Sequence, residues 1–168
     1  MPTGTEKPTP KRIFDIEQNY IDQAIWPFDE DLFFVQTFTP GLMIDCYTLH
    51  KHSLATPIDG AYKEKALYGG VKDDVDDAIL IGSPDEFAVI VGEGMDTRVD
   101  IMNKAGETFT LYSCKNQAGT GSLDVKKVKD GYVIAVIRSS APDKEPPTVW
   151  VGKTETKSEV YSLKPNLK

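Results

Sequence analysis

The amino-acid sequence predicts a protein that is all-β or nearly so: an antiparallel meander forming a sandwich, barrel or propeller-like sheet, with one short N-terminal helix. Three observations carry this. Phe87-Ala88-Val89-Ile90-Val91 and Tyr132-Val133-Ile134-Ala135-Val136-Ile137 are short runs of aromatic and β-branched residues, the composition of strands covered on both faces. Thr108-Phe109-Thr110-Leu111-Tyr112 alternates polar with apolar, as a strand with one wet face does. Turn signals recur at the short, even spacing of all-β domains, which gives about ten strands.

Along the chain, residues 1–12 are rich in Thr, Pro and Lys, lack an apolar core and read as a flexible tail. Such a leader suits a removed signal peptide or lipid anchor, which would place the protein outside the cytoplasm; it equally suits a native disordered start. Residues 13–168 then read as a single domain, long enough to bury roughly 70% of its unfolded surface without metals or disulfides. The segment Ile13 to Ile25 places Ile13, Ile16, Tyr20, Ile21 and Ala24 on one stripe at helical spacing, and Pro27 discourages continuation, so it reads as the helix.

Leu32 to Phe38 follows as a strand, and Pro40-Gly41 turns it into Leu42 to His52. Alternation there puts Leu42, Ile44, Cys46, Thr48, His50 and His52 on one face, with Met43, Asp45, Tyr47, Leu49 and Lys51 on the other. Tyr62 to Tyr68 reads as a strand, followed by Gly69-Gly70 and an acidic segment, Asp73-Asp74-Val75-Asp76-Asp77. Ser83-Pro84-Asp85-Glu86 connects Ala78–Gly82 to the run from Phe87 as a hairpin. Asn103-Lys104-Ala105-Gly106 and Asp130-Gly131 are further hairpin signals, and Val149 to Gly152 and Glu159 to Leu163 close the domain. Segments beginning at Asp85 and Asp130, with Asp31 as a third start, suggest a weak internal repeat whose spacings of about 54 and 45 residues bracket those of propeller blades; the self-similarity of any β meander is the commoner explanation.

The charge balance, 19 basic against 26 acidic side chains for a net charge of −7, argues against a nucleic-acid partner, since phosphate recognition needs surplus Lys and Arg. It suits a cationic partner or simple solubility. No apolar run approaches the roughly 18 residues of a membrane helix. The two cysteines, Cys46 and Cys114, permit one disulfide without demanding it.

Candidate chemistry is sparse. His50 and His52, the only histidines, form a His-x-His pair whose imidazoles a strand would aim to one side, the start of a metal site that needs a carboxylate from elsewhere to complete it. Lys51 and Ser53 beside them point to a strand emerging into solvent, and exposed histidines are the default expectation. Asp73 and Asp74, with Asp76 and Asp77, offer hard oxygen ligands for calcium but lack the ordered spacing of a helix-loop-helix site; a solvated charged loop is the plainer account. Gly92-Glu93-Gly94 lacks the third glycine and the following helix of a dinucleotide fingerprint, and Gly119-Thr120-Gly121-Ser122 lacks the ending of a phosphate loop. Cys46 and His50 on one strand would stand about 13 Å apart, too far for a thiol–imidazole pair. Trp150 and Tyr112, with Trp26, Tyr132 and Tyr161, are rings that a wet β face could offer to a sugar, although packing is the commoner use.

These features point to a non-enzymatic module that binds a protein or glycan through loops at one end of the sheet, including the variant of an acidic inhibitor or immunity-type protein. The alternatives are a metal-binding protein or enzyme centred on His50 and His52, and a structural subunit that makes contact through strand edges. No cofactor is required by the sequence.

Overall fold

The protein is described by a computed structural model that covers residues 21–29, 31–37, 46–53, 66–70, 73–94, 96–114, 123–138, 148–154 and 164–165. Within them the expectation of an antiparallel, nearly all-β chain holds. The strands are β1 (Ile21–Phe28), β2 (Asp31–Thr37), β3 (Tyr47–Ser53), β4 (Tyr68–Gly69), β5 (Asp74–Leu80), β6 (Glu86–Glu93), β7 (Asp96–Asn103), β8 (Thr108–Cys114), β9 (Leu123–Val128), β10 (Gly131–Arg138), β11 (Thr148–Thr154) and β12 (Lys164–Pro165). Each run of four consecutive strands forms its own antiparallel sheet in simple meander order. The segments compared for the weak repeat fall on β2, β6 and β10, the second strand of each sheet.

The second sheet lies between the other two. Phe87, Val89 and Val91 of β6 join Val75, Ala78 and Met102 against Phe28, Phe33, Val35 and Leu49 of the first sheet. Ala88, Val99, Ile101, Leu111 and Tyr112 face the other way, onto Val125, Tyr132, Ile134 and Val136 of the third. This double coverage is why β6 reads as an unbroken apolar run: successive side chains point to opposite faces, and both faces are dry. Phe33 and Phe87 meet edge-on at 4.7 Å between ring centres, with Phe28 edge-on to both, and so seal the first interface.

The helix expected over Ile13 to Ile25 is corrected where it can be seen: Ile21 to Ile25 belong to β1, paired with β2. Residues 13–20, and the tail expected over 1–12, lie outside the described residues. The stripe at helical spacing misled because β1 is an irregular edge strand. Its register slips between Ile21 and Gln23 and again between Ile25 and Phe28, around Pro27, so its apolar residues do not alternate. The turn expected at Pro40-Gly41 and the strand expected over Glu159 to Leu163 also lie outside the described residues.

Side chains as well as faces join the sheets. The Gln23 side chain of β1 donates to the Ala78 carbonyl at 2.9 Å and accepts from the Ala78 N–H at 2.8 Å, standing in for a partner strand along β5. The Lys127 N–H of β9 donates to the Ile81 carbonyl at 2.7 Å.

Candidate functional site

At one end of the second sheet, the connection from β4 to β5 lies beside the β6–β7 hairpin, since Asp74 pairs with Gly92 and Glu93 with Asp96. A bulge shapes this corner. Val75 pairs with Val91 and Asp77 with Ile90, which leaves Asp76 as the extra residue, set beside Gly92. The bulge lets Val75 and Ala78 both be buried although they are three apart, while Asp76 stays exposed. The acidic segment is therefore mostly strand, which corrects the solvated loop expected from its composition: Asp73 precedes β5, and Asp74, Asp76 and Asp77 lie within it. Asp74 accepts a hydrogen bond from the Tyr47 N–H. Partial burial, with Asp74 and Asp77 as like-charged neighbours, holds the Asp76 carboxyl above its ordinary range.

Behind this rim sits a polar network between the first two sheets. Asp100, only 3% exposed, accepts from the Tyr68 hydroxyl, from Arg98 Nε at 2.9 Å and from Thr110 Oγ1 at 2.7 Å. Arg98 Nη2 donates to the Tyr68 hydroxyl at 2.6 Å and to Asp73 at 3.4 Å, and Nη1 is bonded to Glu93. Burial pushes the Tyr68 hydroxyl up to about 12, reinforced by its bond to Asp100. Burial works against the Arg98 charge, but its bonds to Tyr68 and Asp100 outweigh that and hold it above its ordinary value. Arg98 is thus a fixed cation that positions Asp73 and Glu93 at the surface.

Between the second and third sheets, Lys127 Nζ donates to Glu86 at 2.9 Å and to the Tyr132 hydroxyl at 2.8 Å, and lies 4.1 Å from the Tyr132 ring centre. The Tyr132 hydroxyl also donates to Glu86, at 2.8 Å. Beside this triad is a cavity of 190 Å³ lined by Glu86, Ile101, Asn103, Glu107, Thr108 and Phe109. Asn103 is spent on its own turn, accepting from the Ala105 and Glu107 N–H groups and donating to the Glu107 carboxylate.

His50 and His52 do share a face of β3, but the expectation of exposure is overturned: they are 4% and 2% exposed, and Thr48 between the same sheet neighbours is fully buried. β3 is an interior strand, flanked by β2 and β4, so it does not emerge into solvent there. Lys51 leaves by the opposite face, its Nζ 2.9 Å from Asp31 and 5.8 Å from the Phe33 ring centre. His50 Nε2 and Thr48 Oγ1 are 2.9 Å apart, and burial lowers the His50 imidazole from 6.5 to about 4. Among the described residues, no three His, Cys, Asp or Glu side chains come together to hold a metal ion.

Cys46 has a half-buried free thiol, so the Cys46–Cys114 bridge that the composition permits is not made in this structure; Cys114 ends β8, in another sheet. Tyr112 is 4% exposed and belongs to the core, the packing role expected of most of these rings, so it is not a ring offered to a ligand on a wet face. The cause is a bulge: Val99 pairs with Tyr112 and Asp100 with Thr110, so Leu111 is the extra residue and both Leu111 and Tyr112 turn inward. Trp150 pairs with Val136 and Pro165 in the third sheet. Sequence reasoning missed Arg98, Asp100 and Tyr68; an Arg-x-Asp spacing on a strand was the available signal, since alternation sets the two on one face.

No helix among the described residues is long and apolar enough to cross a membrane. Comparison with known proteins finds no family model, no curated protein and no solved structure that matches this chain.

Proposed function

We propose that the chain is a non-enzymatic interaction module, a fan of three blade-like sheets whose acid-lined end recognises a basic protein partner. The blade reading, as against a two-layer sandwich or closed barrel, is supported by three separate four-stranded meanders stacked face to face, with Gln23 of β1 bonded to Ala78 of β5 and Lys127 of β9 bonded to Ile81 just after β5. Face-to-face stacking of successive meanders is what a radial array of blades requires.

The observation that carries the function is the gathering of Asp73, Asp74, Asp76, Glu93 and Asp96 at one end of the second sheet. Gly70 and Gly94 lie among them with open space beside their Cα atoms, so a partner approaches carboxylates and bare backbone there rather than bulky side chains. Set against them among the described residues is Arg98, already engaged by Glu93, Asp73 and Asp100. Such a surface steers a cationic partner and selects against acidic ones. This is how an acidic inhibitor or immunity-type protein would work.

The test is calorimetric titration with an oligolysine peptide at low and at physiological salt. Asp73→Asn/Glu93→Gln/Asp96→Asn is expected to weaken binding by about tenfold or more at low salt. A control with equal charge removed elsewhere, Asp22→Asn/Asp85→Asn/Asp130→Asn, should retain most of the affinity. Equal losses in both triple variants would show that only net charge matters and would refute the site.

A further inference from the structure

We infer that the outward face of the third sheet is a self-association surface on which a second copy of this chain docks, giving a closed dimer. Tyr132, Ile134 and Val136 of β10 point into the core at 2%, 0% and 0% exposure. The residues between them point outward, and the register lines them up with their neighbours: Lys126, Val133 and Lys153 in one row, Asp124, Ala135 and Val151 in the next, Ile137 and Val149 in the third. Ile137, Val149 and Val151 are 37%, 44% and 44% exposed. β-Branched side chains opposite one another on adjacent strands are what a sheet presents to another sheet.

The occupant follows from the stack itself. Both faces of the second sheet are already met by four-stranded antiparallel sheets, through alternating apolar rows of this kind. The outward face of the third sheet continues that series, and its pleated surface suits another sheet about 10 Å away. The two ends of the stack differ, however. On the first sheet the outward residues Thr48, His50 and His52 are 0–4% exposed and thus already covered, whereas the third sheet is open. A face that docks on its own copy does so about a two-fold axis, which closes the assembly after two copies. The polar residues suit a two-fold as well, since Asp124 of one copy has Lys126 and Lys153 of the other to meet.

The three principal strands span a face of roughly 300–450 Å² per copy, below the ~800 Å² of a standard partner surface, so the dimer is weak and forms with rising concentration. The inference does not rest on the acid-lined end, which lies on another sheet.

Sedimentation equilibrium across micromolar to millimolar concentration, at physiological salt, decides it. The weight-average mass should rise from 18.6 kDa toward twice that value and stop there. Val149→Lys/Val151→Glu, at exposed positions that leave folding intact by circular dichroism, should remain monomeric throughout. Asp124→Lys, which keeps the apolar rows and makes the polar rim uniformly basic, should weaken the dimer by about tenfold. A wild-type chain that stays monomeric, a dimer untouched by both variants, or a mass that climbs past two copies would each overturn the inference.

Discussion

Replacing Tyr68 by Phe removes one oxygen and keeps the ring, which makes it a clean probe of the network joining the first two sheets. That oxygen donates to Asp100 and accepts from Arg98. Hydrogen bonds to charged groups contribute about 1.5–3 kcal/mol each. Arg98 is partly exposed and keeps Asp73, Glu93 and Asp100, while Asp100 keeps Arg98 and Thr110, so neither is stranded. A net cost of about 2 kcal/mol is expected, the value of one such bond. Asp100→Ala is harsher: it strips the acceptor from three donors and leaves a partly buried guanidinium under-paired, for about 3–5 kcal/mol. Against a typical total stability of ~5–15 kcal/mol, either change is readily measured. Urea unfolding should show a lower midpoint at unchanged slope. In a double-mutant cycle, Tyr68→Phe added to Asp100→Ala should cost at least ~1 kcal/mol less than it costs alone, because its main partner is gone. If Tyr68→Phe lies within about 0.5 kcal/mol of wild type, or the two losses simply add, the network is not the link described.

Two further outcomes follow from burial and backbone geometry. The folded His50 imidazole takes its proton only near pH 4 and the unfolded one near 6.5, so between those values the unfolded chain binds more protons and stability falls as the pH is lowered. The full effect is on the order of 3 kcal/mol, and chemical denaturation of wild type against His50→Gln across that window isolates it; parallel pH profiles would refute it. Gly69 has φ of +91°, and a Cβ there would stand 2.7 Å from Val75 Cγ2 and 3.0 Å from the Tyr47 carbonyl oxygen. Gly69→Ala should therefore destabilise by about 2 kcal/mol or more, with thermal unfolding as the readout and an unchanged midpoint as the contrary result.

β6 and β10 were legible because no bulge interrupts their period. β6 is dense in apolar residues since both of its faces are covered, and the Asp85 and Asp130 turns flank strands that begin where expected. What escaped the sequence was mostly bulges. One extra residue at Asp76 or Leu111 reverses the facing of everything beyond it, so alternation alone could not assign Tyr112 to the core or to the wet face. β1 failed for the same reason, compounded by an edge position that weakens the apolar pattern. The histidines show a different limit: their shared face was readable from alternation, whereas their burial depends on what lies over the sheet, and no local pattern carries that. Asp73 and Asp74 were legible as an acidic run, but Glu93 and Asp96 join them only through the hairpin register.

The meander order within each sheet has a consequence for how the chain folds. Every described strand pairs only with its immediate neighbours in sequence, so no pairing waits on a distant segment. Such local pairing favours rapid zippering of hairpins, yet the middle sheet, apolar on both sides, has no stable state of its own in water. Its strands would therefore dock on a neighbour as they form. During synthesis the first sheet leaves the ribosome earlier and is the template at hand, with Phe28 and Phe33 ready to receive Phe87. We expect Phe33→Leu to slow refolding and Val136→Ala mainly to speed unfolding, a contrast that chevron kinetics would expose; the reverse pattern would place the nucleus between the second and third sheets.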